Sequence, residues 1–489
     1  MQLLRILVFC LIFDVPAFTQ SMSSIDIPGQ KISLGFPSFT DRDQYNSYDF
    51  CNSPLGIFEK DSFRVHVDCD FRSDTWHEAG KNDSLQKSYT AWNVPDIILS
   101  KPNIAYLRLY YTPTNISDAS RGRKLSLPLQ RFGLTLAGQA PSGIFQLALQ
   151  GKGYYGDETA QGNPDTRLIM GLEDLSATIG SRIHELVTIG MEGGATAKLD
   201  TLRDPIINDR YFAGEIPVLG WYIEFGKKGF PIASDFSLHI GTHRFVYVVD
   251  ENGNSINKDP IRGDSLAWKW QGIGEIRQND FAYSPALFIG YWSDHYQLYQ
   301  PTASNSDLSV GQELVGSDWK FSDMTLGVGA SIRYKNIFKA HGEYTHSSMA
   351  LDYGAAWPAL SGKTRGYDRF SVGTETGLNE IPELHFPKSF ETFVRIGYFN
   401  QRENSALCAF QADEFGLIND MIANSLNYRY SPDFGWGQDQ RVIGFFLGAG
   451  GDFFSRMIEA ETHIGFLSQQ SENNFHGMAF GFDVSYNLR

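Results

Sequence analysis

His346 and Ser347 stand side by side, and a histidine beside a serine could act as base and nucleophile. The stretch around them, 336–351, alternates in the manner of a strand. Adjacent side chains on a strand face opposite ways, so these two cannot form a dyad. His239 and His243 do share a face, as metal ligands would. At about 3.3 Å per residue they sit roughly 13 Å apart, too far to hold one zinc ion; that spacing closes on a metal only in a helix. No other nucleophile, metal or cofactor constellation stands out. The reading is therefore a protein with no catalytic residues, no metal site and no cofactor, and not an enzyme.

A different chemistry recurs. FRVHVDCDF sets Arg64, His66, Asp68 and Asp70 against Phe63, Val65, Val67, Cys69 and Phe71. The 336–351 stretch carries Lys339, His341 and Glu343 on its polar face. FETFVRIGYF opposes Glu391 and Arg395 to Val394, Ile396 and Tyr398, and MIEAETHIGF opposes Glu459, Glu461 and His463 to Ile458, Ala460, Ile464 and Phe466. Charges at the centre of a strand's polar face, flanked by glycine, suit a wet lumen behind an apolar wall. Such a lumen sieves polar solutes by its charged rings, or holds a plug through paired charges.

The elements that position these residues are strands. MTLGVGASIRY and the terminal MAFGFDVSYNLR alternate apolar and small or polar residues with period two. Thirteen strands are expected near 167–181, 186–199, 214–226, 233–249, 263–276, 281–299, 318–334, 336–351, 365–378, 387–402, 440–452, 455–469 and 474–488. Many run about 12 to 16 residues, longer than sandwich strands usually are. Connections alternate short and long, as in outer-membrane barrels with short turns on the periplasmic side. The long segment 403–439 carries Phe415, Ile418, Ile422 and Leu426 near helical spacing, which suits a short helix closing the barrel mouth or a capture site.

Upstream candidates are 61–72, 104–111, 131–138 and 143–153. An odd number must precede the strand at 167–181 if the mature N-terminus is periplasmic. Two arrangements satisfy this. In the first, 131–153 is one strand interrupted at Gly138, Pro141 and Gly143, because proline removes a ladder donor and glycine marks a bend. In the second, 140–143 is a hairpin turn and 61–72 stays outside the barrel. Either way the expectation is all-β: a closed antiparallel transmembrane β-barrel of about sixteen strands, fourteen being possible.

The chain has 489 residues, 14% aromatic and 48 glycines, with a net charge of −15 that argues against nucleic acid as a partner. Residues 1–19 read as a signal peptide, with Arg5 ahead of a short apolar run and Ala17-Phe18-Thr19 before the cut. The barrel is expected over 59–489. Cys51 and Cys69 could pair in an oxidising compartment, but with Cys408 the odd count favours free thiols.

The segments NSPLGIFEKDSFRVHVDCDF, VPDIILSKPNIAYLRLYYTP and QRFGLTLAGQAPSGI resemble, in order, the first strands of the long-chain fatty-acid transporter (FadL-type) family of bacterial outer membranes. The resemblance covers roughly residues 50–200. It departs at Asn52-Ser53-Pro54-Leu55, where the family has Asn-Pro-Ala. It implies about fourteen strands, an N-terminal luminal hatch at residues 20–58 and passive uptake of hydrophobic cargo such as fatty acids or hydrocarbons. It also implies a kinked third strand that opens the wall sideways, here a lateral gate at Gly138, Pro141 and Gly143. A porin-like channel for polar solutes, or a barrel serving secretion or assembly, are the alternatives. The expected partners are outer-membrane lipid, hydrophobic cargo, and the barrel-assembly machinery, for which Gly481, Val484, Tyr486 and Leu488 resemble the terminal signal. The expected partner of the last strand is 61–72, or 104–111.

Overall fold

In the computed structural model, alternation becomes one antiparallel sheet. The structure describes residues 64–78, 85–101, 105–118, 125–140, 144–160, 166–204, 207–225, 231–249, 261–297, 318–335, 337–352, 363–379, 391–405, 440–454, 457–470 and 475–488. The signal peptide, the hatch and the helix expected within 403–439 lie outside these residues, as do Cys51 and Cys408.

The elements in chain order are β1 (Arg64–Glu78), β2 (Leu85–Lys101), β3 (Ala105–Asp118), β4 (Leu125–Gln139), β5 (Gln146–Ala160), β6 (Thr166–His184), β7 (Val187–Asp204), β8 (Ile207–Phe225), β9 (Ile232–Val249) and β10 (Ile261–Gly274). After them come β11 (Ile276–Gln278), β12 (Phe281–Gln297), β13 (Asp318–Tyr334), β14 (Phe338–Asp352), β15 (Lys363–Gly377), β16 (Glu391–Ser405), β17 (Gln440–Phe453), β18 (Ile458–Gln470) and β19 (Phe475–Leu488). Glu275 interrupts what is otherwise one strand, β10 and β11 both pairing with β12, so the sheet has 18 strands. Each strand pairs with its chain neighbours, and β1 also pairs with β19 from Val65↔Leu488 to Glu78↔Phe475. The sheet is thus closed. Closure matters because backbone polar groups facing lipid must all be paired within the protein.

Every one of the thirteen strands expected after residue 166 has its counterpart. The loop expected between 199 and 214 is largely strand, since β7 runs to Asp204 and β8 starts at Ile207. The count of sixteen is corrected to eighteen, and the fourteen implied by family resemblance is further off. Both missing strands lie upstream. β2 escaped because Asn93-Val94-Pro95-Asp96 breaks its alternation. There the pairing with β1 shifts between Asp68 and Asp70, and the ladder to β3 skips from Ala91 to Ile97. Proline is tolerated in a strand at such a bulge, where no ladder donor is required.

The single kinked strand at 131–153 is also corrected. β4 and β5 are two strands paired from Leu125↔Ala160 to Gln139↔Gln146. Ala140 N–H donates to the Phe145 carbonyl at 2.9 Å, and the Gln146 amide donates to Gln139 Oε1 at 2.7 Å, closing a hairpin. The hairpin alternative was right about the turn but wrong to exclude the first strand, for β1 is fully in the ring. Five strands precede β6, so the odd parity stands.

Both ends of the described chain lie on the side of the tight turns. Asn279 (φ 56°) and Lys335 (φ 49°) adopt left-handed backbone there, and Lys335 N–H donates to the Asp280 carbonyl. On this side Phe225, Phe281, Phe338 and Tyr486 are outward-facing and exposed. The opposite side carries the larger gaps in the described chain, 298–317 and 406–439.

The two faces differ as the alternation requires. Met191 is 60% exposed, Leu175 55% and Met324 54%, while Thr178 on the opposite parity is 1% exposed and Gln146 0%. Leucine, isoleucine, methionine and phenylalanine turned outward from every side of a closed sheet form a lipid-facing band. Even the shortest full strand, β18 with 13 residues, exceeds the roughly 9–11 residues a tilted strand needs to cross a bilayer.

Candidate channel interior

Arg395 projects inward from β16, on the parity opposite Val394 and Ile396. Its Nε donates to Glu375 Oε2 on β15 at 2.7 Å, and its Nη1 pairs with Glu461 Oε2 on β18. Glu375 is the direct cross-strand partner, whereas Glu461 is reached over β17. That reach exists because β17 offers Gly448 and Gly450 at this level, with no side chain in between. The guanidinium also lies over the Phe393 ring, 4.0 Å from its centroid. The Arg395 and Glu461 side chains are 12% and 10% exposed, and Glu461 Oε1 has no hydrogen-bond partner among the described residues. A cation held this far from water is retained only because carboxylates flank it.

A second polar group lines the far wall. Glu192 on β7 accepts a bond from the Thr178 hydroxyl on β6 at 3.1 Å and from the Tyr222 hydroxyl on β8 at 2.5 Å. The Tyr222 ring meets His239 on β9 edge-on, centroids 5.4 Å apart. Gly220 makes the space, since a Cβ there would lie 3.2 Å from both Glu192 and His239. Arg108, Lys269, Glu343 and Arg369 are buried on the same inner face.

Between the charges the wall is glycine capped by aromatic rings. Phe399 and Phe446 are 0% and 1% exposed, with ring centroids 6.2 Å apart. Phe399 lies over Gly444 and Phe446 over Gly465, where added Cβ atoms would fall 1.9 Å and 2.3 Å from the rings.

The expected luminal residues divide accordingly. Lys339, His341, Glu343, Arg395, Glu459, Glu461 and His463 share the inner parity, and Arg395 and Glu461 meet directly. Arg64, His66 and Asp68 sit in β1, with His66↔Asn487 and Asp68↔Ser485 in register; their side chains lie outside those described. Glu375 and Glu192 were missed. The signal was available: Ser371, Gly373 and Glu375 alternate with Phe370 and Val372, and Gly190, Glu192 and Gly194 alternate with Ile189 and Met191. Gly138 is an ordinary ladder residue, opposite Ala105 and Leu147, while Pro141 and Gly143 lie outside the described residues. His346 faces outward and pairs with Asp368 on β15 at 2.9 Å.

An apolar outer band, a polar inner wall and a closed antiparallel sheet define a multi-pass β-barrel of the bacterial outer-membrane class. No family model and no curated protein matches the sequence. Among solved structures the chain is similar to Pseudomonas aeruginosa OccK2 (OpdF) in complex with glucuronate, at 9% identity and TM-score 0.40, over 88% of this chain and 100% of that one. It is also similar to Pseudomonas aeruginosa OccK11 (OpdR), at 10% identity and TM-score 0.38, over 87% and 96%. A third is the ferric citrate transporter FecA in its unliganded form, at 8% identity and TM-score 0.41, over 87% and 79%. At these scores the likeness carries no argument about substrate or mechanism.

Proposed function

We propose that the chain is a passive channel for small polar solutes across a bacterial outer membrane, with the tight-turn side in the periplasm. The observation that carries this reading is an 18-strand ring whose described inner wall carries charges of both signs, with Lys339, His341 and Glu459 half-buried around the buried Arg395 bridge. Rings of about 16–18 strands leave an aqueous lumen. Mixed charge on the wall gives a passing ionic or hydroxylated solute alternating donors and acceptors in place of its hydration shell.

The family resemblance points instead to fatty acids or hydrocarbons leaving sideways through the wall. Its structural support was a kinked strand at 131–153, and that stretch is a paired hairpin. The polar channel is therefore the better-supported reading. The terminal strand β19, apolar on its outer parity to Leu488, serves in this reading as the segment recognised by barrel-assembly machinery.

The test is sugar-driven swelling of liposomes containing the purified full chain, run beside binding of a fluorescent fatty acid. Swelling with small sugars, faster than in empty liposomes, is expected. Fatty-acid binding with no swelling overturns the proposal in favour of hydrophobic cargo.

A further inference from the structure

Where the lipid-facing band ends, the outer wall changes character. Along β16 the outward residues run Val394, Ile396, Tyr398, Asn400, Arg402; along β17, in the opposite sense, they run Leu447, Phe445, Ile443, Arg441. Arg402 and Arg441 are directly opposed in the ladder, and both are exposed. Two like charges facing each other on one face of a sheet repel, unless an anion lies between them. Asn400 Oδ1 accepts from Arg441 Nε at 2.9 Å, which leaves that guanidinium's outer edge directed away from the strand. Arg402 makes no hydrogen bond among the described residues, and the opposite charge it feels there is that of Asp368 on β15. Its other cross-strand neighbour, Asp368, already accepts from the Tyr344 hydroxyl at 2.5 Å and meets His346 Nδ1 at 2.9 Å, all through Oδ1.

We propose that Arg402 and Arg441 bind the phosphate of an anionic lipid headgroup in the outer leaflet. A planar guanidinium matches phosphate oxygens with two parallel donors, and a facing pair provides two such forks. The level is right: the arginines lie four residues along their strands from Tyr398 and Phe445, at roughly 3.3 Å per residue, which is headgroup height above an apolar band. The same surface continues downward as Phe370, Tyr398, Phe445 and Phe466, a bed for the acyl chains of the lipid whose phosphate the arginines hold. That continuity selects a lipid over free phosphate. The proposal rests on the outer wall facing lipid and, for the choice of leaflet, on the proposed orientation with the tight turns in the periplasm; it is independent of what passes through the lumen.

The test is native mass spectrometry of the full chain in detergent, with added dioleoyl phosphatidic acid, dioleoyl phosphatidylcholine or inorganic phosphate. Phosphatidic acid adducts should exceed phosphatidylcholine adducts. Arg402→Gln with Arg441→Gln should reduce them at least fivefold, while Lys320→Gln, an exposed cation on β13, should not. Heat-modifiable migration reports whether each variant is folded. If the double variant does not fold, the single Arg441→Lys substitution replaces it, with charge kept, the fork removed and a smaller loss expected. Adducts that survive these substitutions overturn the site. Inorganic phosphate competing at concentrations equal to the lipid's overturns the lipid as the ligand. Unchanged sugar swelling in the folded variants is expected, and keeps this test separate from that of the channel.

Discussion

Arg395 concentrates the electrostatic demand of the inner wall on one side chain. Replacing it with glutamine leaves Glu375 and Glu461 facing each other with no cation between them. Breaking a buried pair from one side costs about 3–5 kcal/mol. We expect Arg395→Gln to lower the urea midpoint accordingly and to shift the reversal potential in a salt gradient toward cation preference. Adding Glu375→Gln and Glu461→Gln should restore most of the stability; no recovery would mean that the three do not act as a unit. Steric demand is equally local at Gly444. A methyl group there would lie 1.9 Å from Phe399, so Gly444→Ala forces the ring to move. Overpacking of this kind costs about 1–3 kcal/mol. The added substitution Phe399→Leu should relieve part of that loss, measured by unfolding in detergent.

At the scale of elements, β19 carries the sharpest expectation. Phe480 is 45% exposed on the outer parity, while its neighbour Ala479 is 0% exposed on the inner. Arginine at the midplane of a barrel's lipid face costs about 2–4 kcal/mol. Phe480→Arg should lose that much stability in lipid vesicles, whereas Ser468→Arg, near the polar end of β18, should cost far less. Equal costs would contradict the assignment of the two walls. The elements also show where alternation stops being readable. β6 to β19 keep their parity over long runs, so their existence could be read directly. β2 hides behind Pro95, and the tight turn after Gln139 reads equally well as a kink, because proline and glycine punctuate both. Only the partner strands separate those readings: Gln139 pairs with Gln146, and Asp96 pairs with Asp68.

At the scale of the whole molecule, closure joins the beginning and end of the described chain through β1 and β19. A closed ladder resists denaturation until the ring opens as a unit, so unheated protein should migrate differently from boiled protein in a denaturing gel. Identical migration would count against a closed barrel. The class of fold, the two-walled strands and the need for the last strand to pair with an early one were legible in residue order, because period two is a local property and lipid demands closure; that the partner is β1 rather than 104–111 was settled by the ladder. The eighteenth strand and the Arg395–Glu375–Glu461 bridge were not, nor was the facing of Arg402 and Arg441. Each depends on register between strands distant in the chain, and register is settled by which ladders form around the ring.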